Sequence, residues 1–227
     1  MPSKNTIRHL QENGYYHVYN RGVEKRKIFL CDEDFQVFLH FLKTYLSPRE
    51  IKEDSNSKEK YQETQRKNFT GEIDLLAFCL MPNHYHLLLR QNNDQSMPEF
   101  MRCLITAYVM YFNKRYQRTG TLFQGRYKAA IVGNDDYLLH LSRYIHQNPI
   151  NDVKGQTLDI LGQYDYSSYP DYVGIKDREW IDRKIILESF SSAERIDSKK
   201  FDTYKVFVKD IENNEELSLG SLTLDGH

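Results

Sequence analysis

The chain has 227 residues, with 31 Lys and Arg against 32 Asp and Glu, a net charge of −1 and a pI near 6.7. That length suits one large domain or a domain with an extension, and the 40% hydrophobic content can bury a core. The near-neutral balance excludes a globally basic nucleic-acid binder, and no apolar run approaches the roughly 18–20 residues that span a bilayer, so no membrane partner is expected. The 3 cysteines, Cys31, Cys79 and Cys103, show no CxxC or other paired spacing. Their odd number, with no secretion signal at the start, leads us to expect a reducing cytoplasm.

Tyr15-Tyr16-His17-Val18-Tyr19-Asn20 is aromatic and β-branched, is followed by Arg21-Gly22, and reads as a first strand. Asp32 is placed to cap a helix in which Phe35, Phe38, Leu39, Leu42 and Leu46 follow a 3.6 period. Residues 47–70 are almost entirely polar and read as a flexible surface insertion. Ile73 to Leu80 forms the next strand, Met81-Pro82-Asn83 interrupts it, and His84 to Arg90 continues as a third. Ser96-Met97-Pro98-Glu99 has the form of a capping box with proline in the first turn. It opens a helix with Phe100, Met101, Leu104, Ile105, Tyr108, Val109 and Phe112 on one broad face, ended by Thr119-Gly120.

Leu122 to Val132 reads as a strand bent near Gly125. Asp135 or Asp136 then caps a helix carrying Leu138, Leu141, Tyr144 and Ile145, whose continuation Pro149 prevents. The order βαββαβ plus one helix predicts an α+β fold, a ferredoxin-like sandwich whose antiparallel sheet is covered by helices on one side. This domain spans residues 8–150, and residues 151–227 form a partly helical extension. In the extension, Tyr164-Asp165-Tyr166-Ser167-Ser168-Tyr169 and Trp180 pack on the domain. Short helices span Asp182 to Phe190 and Phe201 to Ile211, and the end from Glu215 to His227 is frayed.

Chemistry concentrates in two segments. His84 and His86 alternate on one strand, so their imidazoles project side by side with Tyr85 on the opposite face. Such a pair can be two half-buried sheet histidines with hydrogen-bonded neighbours, or half of a metal site. On the last helix Tyr144 and Asn148 stand one turn apart, and His140 one turn before Tyr144. Here too an ordinary alternative exists, with Tyr144 in the core and Asn148 at the helix end. Taken together, His84, His86 and Asn148 make a set of N and O donors suited to a divalent ion such as Mg²⁺ or Mn²⁺. Tyr144 would then stand beside a metal-bound phosphate as a nucleophile. Basic residues are patterned although the total is neutral. Lys114, Arg115, Arg118, Arg126 and Lys128 lie in a stretch without Asp or Glu, and Arg21 joins Arg126 and Lys128 in an expected DNA-binding surface beside the site.

Met81-Pro82-Asn83-His84-Tyr85-His86, followed by leucines, resembles the His-hydrophobic-His motif of the HUH single-tyrosine transposases. Tyr144-Ile145-His146-Gln147-Asn148-Pro149 resembles the Tyr-Ile-x-x-Asn-Pro segment of their catalytic helix. Tyr16-His17-Val18-Tyr19-Asn20-Arg21-Gly22 and Phe123-Gln124-Gly125-Arg126-Tyr127-Lys128 resemble the strands of the REP-associated tyrosine transposase branch, and the likeness covers residues 8–173. The resemblance implies a metal-dependent DNA strand transferase acting on single-stranded or hairpin DNA as a monomer or homodimer. It implies that Tyr144 forms a 5′-phosphotyrosine and that His84, His86 and Asn148 bind the metal. A non-catalytic DNA-binding protein on the same scaffold, or a metal-dependent nuclease using water, is the alternative.

Overall fold

The structure is a computed structural model describing residues 10–49, 67–151, 158–190 and 198–210. Among these, four antiparallel strands form one sheet in the order β2-β3-β1-β4. β1 (Tyr15–Arg21) and β3 (His84–Gln91) are central, flanked by β2 (Ile73–Met81) and β4 (Lys128–Ile131). Helix α1 (Asp32–Leu46) connects β1 to β2, and α2 (Ser96–Arg115) connects β3 to β4, giving the expected βαββαβ order. The β2–β3 hairpin turns on Pro82 and Asn83, with Met81 opposite His84.

Strand alternation sorts the side chains into two cores. Tyr16, Val18, Tyr85, Leu87 and Leu89 pack with Phe38 and Leu42 of α1 and with Leu104, Tyr108 and Phe112 of α2. On the other face Ala77, Cys79, Met81 and Leu88 pack with Leu138, Leu141 and Ile145 of α3 (Asp135–Asn151). Helices thus cover both faces of the sheet, not one. The physical reason lies in β2, which is buried at nearly every position, as in strands enclosed on both sides.

The extension contributes α4 (Tyr169–Tyr172), α5 (Lys184–Glu188) and α6 (Ser198–Lys209). It also closes the outer edge of β2, whose backbone groups would otherwise be a pairing template. Ser168 Oγ accepts the Phe78 N–H at 2.8 Å, and the Tyr166 carbonyl accepts the Leu80 N–H at 2.8 Å. The Tyr164 and Tyr172 hydroxyls donate to the carbonyls of Leu80 and Leu76 at 2.7 and 2.8 Å. That is what the tyrosine- and serine-rich segment does locally. The helices are displaced from the expected spans, Asp182–Phe190 and Phe201–Ile211, and Glu215–His227 lies outside the described residues.

Several local expectations are corrected. α1 is capped by Asp34, whose carboxylate accepts the N–H groups of Leu30 and Cys31, and Asp32 is its first residue. Ser96 does open α2, but its hydroxyl bonds Asn93 and Glu72, and Glu99 pairs with Lys67 instead of closing a capping box. Asn93 Oδ1 accepts the first N–H groups in its place. That helix ends at Arg115, short of Thr119. The strand after it is confined to Lys128–Ile131, because residues 122–125 form a loop held by the Asn20 side chain and by Arg21. The polar insertion is anchored at its end: Phe69 is fully buried, and Asn68 donates to the carbonyls of Thr44 and Ser47. Gly22 lets the chain fold back tightly, since a side chain there would meet the Arg26 carbonyl.

α3 and the extension meet around His146. Its ring is fully buried, with Nδ1 2.7 Å from the Tyr204 hydroxyl and Nε2 2.7 Å from Ser168 Oγ. Burial, then the Arg178 charge, pushes its pKa down to about 3. The native state therefore binds fewer protons than the unfolded chain between about pH 3 and the ordinary histidine value, so this contribution is lost as pH falls through that window. We expect His146→Gln to flatten the loss of stability between pH 7 and pH 4 by about 1.4 kcal/mol per pH unit, measured by urea unfolding at each pH. Parallel curves for variant and wild type would contradict the assignment.

Candidate active site

The site lies where β3, β1 and α3 meet. His84 and His86 both face α3, as strand alternation requires, with ring centroids 5.1 Å apart and planes nearly perpendicular. Both are buried, at 3% and 0% exposure. Burial, followed by the charges of His17, His84 and Arg21, holds the His86 pKa well below the usual histidine range, so that ring is neutral near pH 7. Tyr144 approaches from α3, its ring edge-on to His86 at 5.6 Å and to His17 at 6.1 Å.

Asn148, one turn on, meets His84: its Oδ1 lies 3.4 Å from His84 Nε2. The orientation of that amide has a local cause. Pro149 lies inside α3 rather than ending it, and the helix runs to Asn151. A proline has no N–H for the carbonyl of residue i−4, here Ile145. The Asn148 Nδ2 donates to the Tyr144 carbonyl at 2.9 Å and to the Ile145 carbonyl at 3.4 Å. With its nitrogen held against the helix, Asn148 presents its oxygen to the histidines. The carboxamide is thus both a repair of the helix and a donor aimed at the sheet.

The donor set fits a divalent cation. His84 Nδ1 contacts Asn83 Oδ1 at 2.6 Å while its Nε2 contacts Asn148 Oδ1. A neutral imidazole has one N–H, so it cannot donate to both oxygens, and one contact sets lone pair against lone pair. His86 Nε2 is buried with no hydrogen-bond partner among the described residues. Buried polar atoms in this condition need an explanation, and a cation between nitrogen and oxygen donors supplies one. No three His, Cys, Asp or Glu side chains form a metal-holding group among the described residues, and the Asn148 oxygen is a further donor that lies against His84. His140 stays out of the cluster, bonded to Arg143 and packed on Phe207.

The basic residues divide. Arg21 is on the histidine face opposite His84, and Lys128 pairs with Tyr19, lying 5.9 Å over its ring. Arg126 is exposed on the loop before β4. Lys114, Arg115 and Arg118 sit near the end of α2, which packs on the opposite face. There Arg115 pairs with Glu33 at 2.6 Å, so the expectation of an uncompensated charge fails for it. A residue not singled out from the sequence, His17, completes the cluster: its Nε2 is 2.8 Å from His86 Nδ1. Its signals were the alternation His17-x-Tyr19 and its place in the segment Tyr16–Gly22, but its partner is on another strand.

Fold and site together define a class, the small antiparallel-sheet proteins that set a tyrosine on a helix against a histidine pair. The family model "Transposase IS200 like" matches residues 12–148, and the chain belongs to that family, which makes DNA transposition its class of activity. The solved structure of a REP-associated tyrosine transposase bound to a REP hairpin is 14% identical, with a TM-score of 0.52 over 81% of this chain and 98% of that one. It shares the fold. A putative transposase from Deinococcus radiodurans R1 is 17% identical over 65% of this chain and 96% of that one, with a TM-score of 0.36. No curated protein matches in sequence. Among the described residues, no helix is long and apolar enough to cross a membrane.

Tyr85, between the two histidines, points away from the site into the first core against Phe38 and Phe123. Its fully buried hydroxyl has no hydrogen-bond partner among the described residues. An unsatisfied buried hydroxyl costs on the order of 1 kcal/mol or more. Tyr85→Phe is therefore expected to hold or raise stability by about 1 kcal/mol in denaturant unfolding. A loss of that size would mean the hydroxyl is satisfied.

Proposed function

We propose that this protein cleaves and rejoins a DNA strand through Tyr144, with His84, His86 and Asn148 holding Mg²⁺ or Mn²⁺. The observation that supports this reading best is the joint placement of Tyr144 and Asn148. One helix turn sets the tyrosine ring edge-on to His86 and the carboxamide oxygen against His84. A divalent ion held there would draw charge from a bound phosphate and favour its attack.

The Tyr144 oxygen attacks the phosphorus, the bond to the preceding 3′-oxygen breaks, and that oxygen leaves as a 3′-OH after taking a proton. A 5′-phosphotyrosine remains, keeping the energy of the broken ester, so a 3′-OH can reverse the step without ATP. The structural neighbour bound to a REP hairpin, and the resemblance of the motifs to the REP-associated branch, support single-stranded or hairpin DNA as the substrate class.

Covalent capture tests the reading. A labelled hairpin oligonucleotide, taken from the DNA flanking the gene, should give an SDS-stable adduct with Mg²⁺ or Mn²⁺ and none with Tyr144→Phe. Cleavage without an adduct would mean that water is the nucleophile, and binding without cleavage that the scaffold only binds. His84→Ala with His86→Ala should abolish cleavage and leave binding, because phosphate contacts come largely from basic side chains elsewhere.

We propose that the DNA path follows Arg21, Arg126 and Lys128, away from Lys114 and Arg118 at the end of α2. Each phosphate neutralised adds about 0.7 to the log–log salt slope for a single strand. Arg126→Ala with Lys128→Ala should flatten that slope by roughly one unit or more, whereas Arg115→Ala, already paired with Glu33, should leave it unchanged. The reverse result would move the path to the α2 face.

A further inference from the structure

We infer that His17 and Asn83 are positioning residues that determine which ring nitrogen of His86 and of His84 is left as a donor; this rests on the metal reading above. The same device occurs twice. Asn83 Oδ1 is 2.6 Å from His84 Nδ1, and His17 Nε2 is 2.8 Å from His86 Nδ1. An amide oxygen only accepts, so the contact with Asn83 puts the His84 proton on Nδ1. Nε2 of His84 then carries the lone pair, and it faces the Asn148 oxygen.

For His86 the choice follows from the metal reading. Its Nε2 has no hydrogen-bond partner among the described residues, and the ring is fully enclosed. A cation at the site takes the Nε2 lone pair, which leaves the proton of the His86 ring on Nδ1, where His17 Nε2 accepts it. Nδ1–H of His86 then donates to His17, whose own proton lies on Nδ1, and Nε2 of His86 keeps its lone pair. Ligating histidines are commonly held in this way through their second nitrogen.

The chain reaches this arrangement economically. Asn83 is the hairpin residue immediately before His84. Tyr19 is directly opposite His86 across the β1–β3 ladder, which puts His17, two residues earlier on the same face, at the diagonal position. The rings of His17 and His86 stack at 5.0 Å with an 18° tilt. His17 cannot swing away without unpacking Tyr19, 4.8 Å from it on the same strand.

Two readouts test this without relying on activity. In metal-free wild type, long-range ¹H–¹⁵N spectra of the histidine rings should place the His84 proton on Nδ1. A proton on Nε2 of His84 overturns the proposal, and this result needs no variant to fold. Mn²⁺ titration followed by electron paramagnetic resonance should show affinity falling about 10–100-fold in His17→Leu and in Asn83→Ala. His17→Gln and Asn83→Asp, whose oxygens can still accept from Nδ1, should recover most of it.

If His17→Leu binds Mn²⁺ as tightly as wild type, or His17→Gln is as weak as His17→Leu, the positioning role is wrong while the metal reading stands. If wild type itself takes up no Mn²⁺, with or without a hairpin oligonucleotide, the metal reading fails and this proposal with it.

Discussion

One contact organises this molecule: the Asn148 oxygen held against Nε2 of His84, both residues buried. Neither atom can donate when Nδ1–H of His84 donates to Asn83, so two acceptors are brought together, and His86 Nε2 has no hydrogen-bond partner among the described residues. Water would relieve such a clash at a surface. Inside a protein an unpaired polar group costs on the order of 1–3 kcal/mol, so the arrangement must be imposed by the surrounding structure. It is imposed from both sides. The β1–β3 register determines where the histidines stand, and Leu138, Leu141 and Ile145 seat α3 on the sheet.

The extension belongs to the same constraint. α3 touches the sheet along one side, and the extension meets it on others. Gln147 donates to the Val208 carbonyl, Arg143 stacks over Phe207, and His146 bridges Tyr204 and Ser168. Ser168 in turn bonds the backbone of β2. If Tyr144 reacts with a phosphate as proposed, it must be held to a fraction of an ångström, and a helix fixed on several sides provides that. On the proposed reading, the electrostatics are equally pointed. An ion held by two neutral imidazoles and one carboxamide keeps its full charge, with Arg21 nearby and, among the described residues, no carboxylate completing the cluster. A DNA phosphate is the natural counter-charge, which ties retention of the ion to the presence of substrate.

Much of this was legible in the sequence. The histidine pair announced itself by alternation within an apolar run, and Tyr144 and Asn148 by their one-turn spacing, because both signals are local periodicities. What depended on contacts distant along the chain was not legible. His17 acquires meaning only when β1 pairs with β3, 69 residues away. Phe69 looked like part of a polar insertion until the groove between α1 and α2 received it. The second helical layer was encoded in the unbroken apolar character of Ile73 to Met81, a pattern that a one-sided sheet does not require. Pro149 was read as a stop, but a proline can stay in a helix when a neighbouring amide satisfies the carbonyl it orphans, as Asn148 does. Arg115 looked uncompensated because its partner, Glu33, comes from another helix.

The central claim is that these three donors share one cation. The most direct measurement is anomalous diffraction from crystals of the protein soaked in Mn²⁺. The account predicts a single strong peak within about 2.0–2.4 Å of His84 Nε2, His86 Nε2 and Asn148 Oδ1, with Nδ1 of each histidine still on His17 and Asn83. A peak that misses either histidine, or an Asn148 amide reversed so that its nitrogen faces His84, would contradict it.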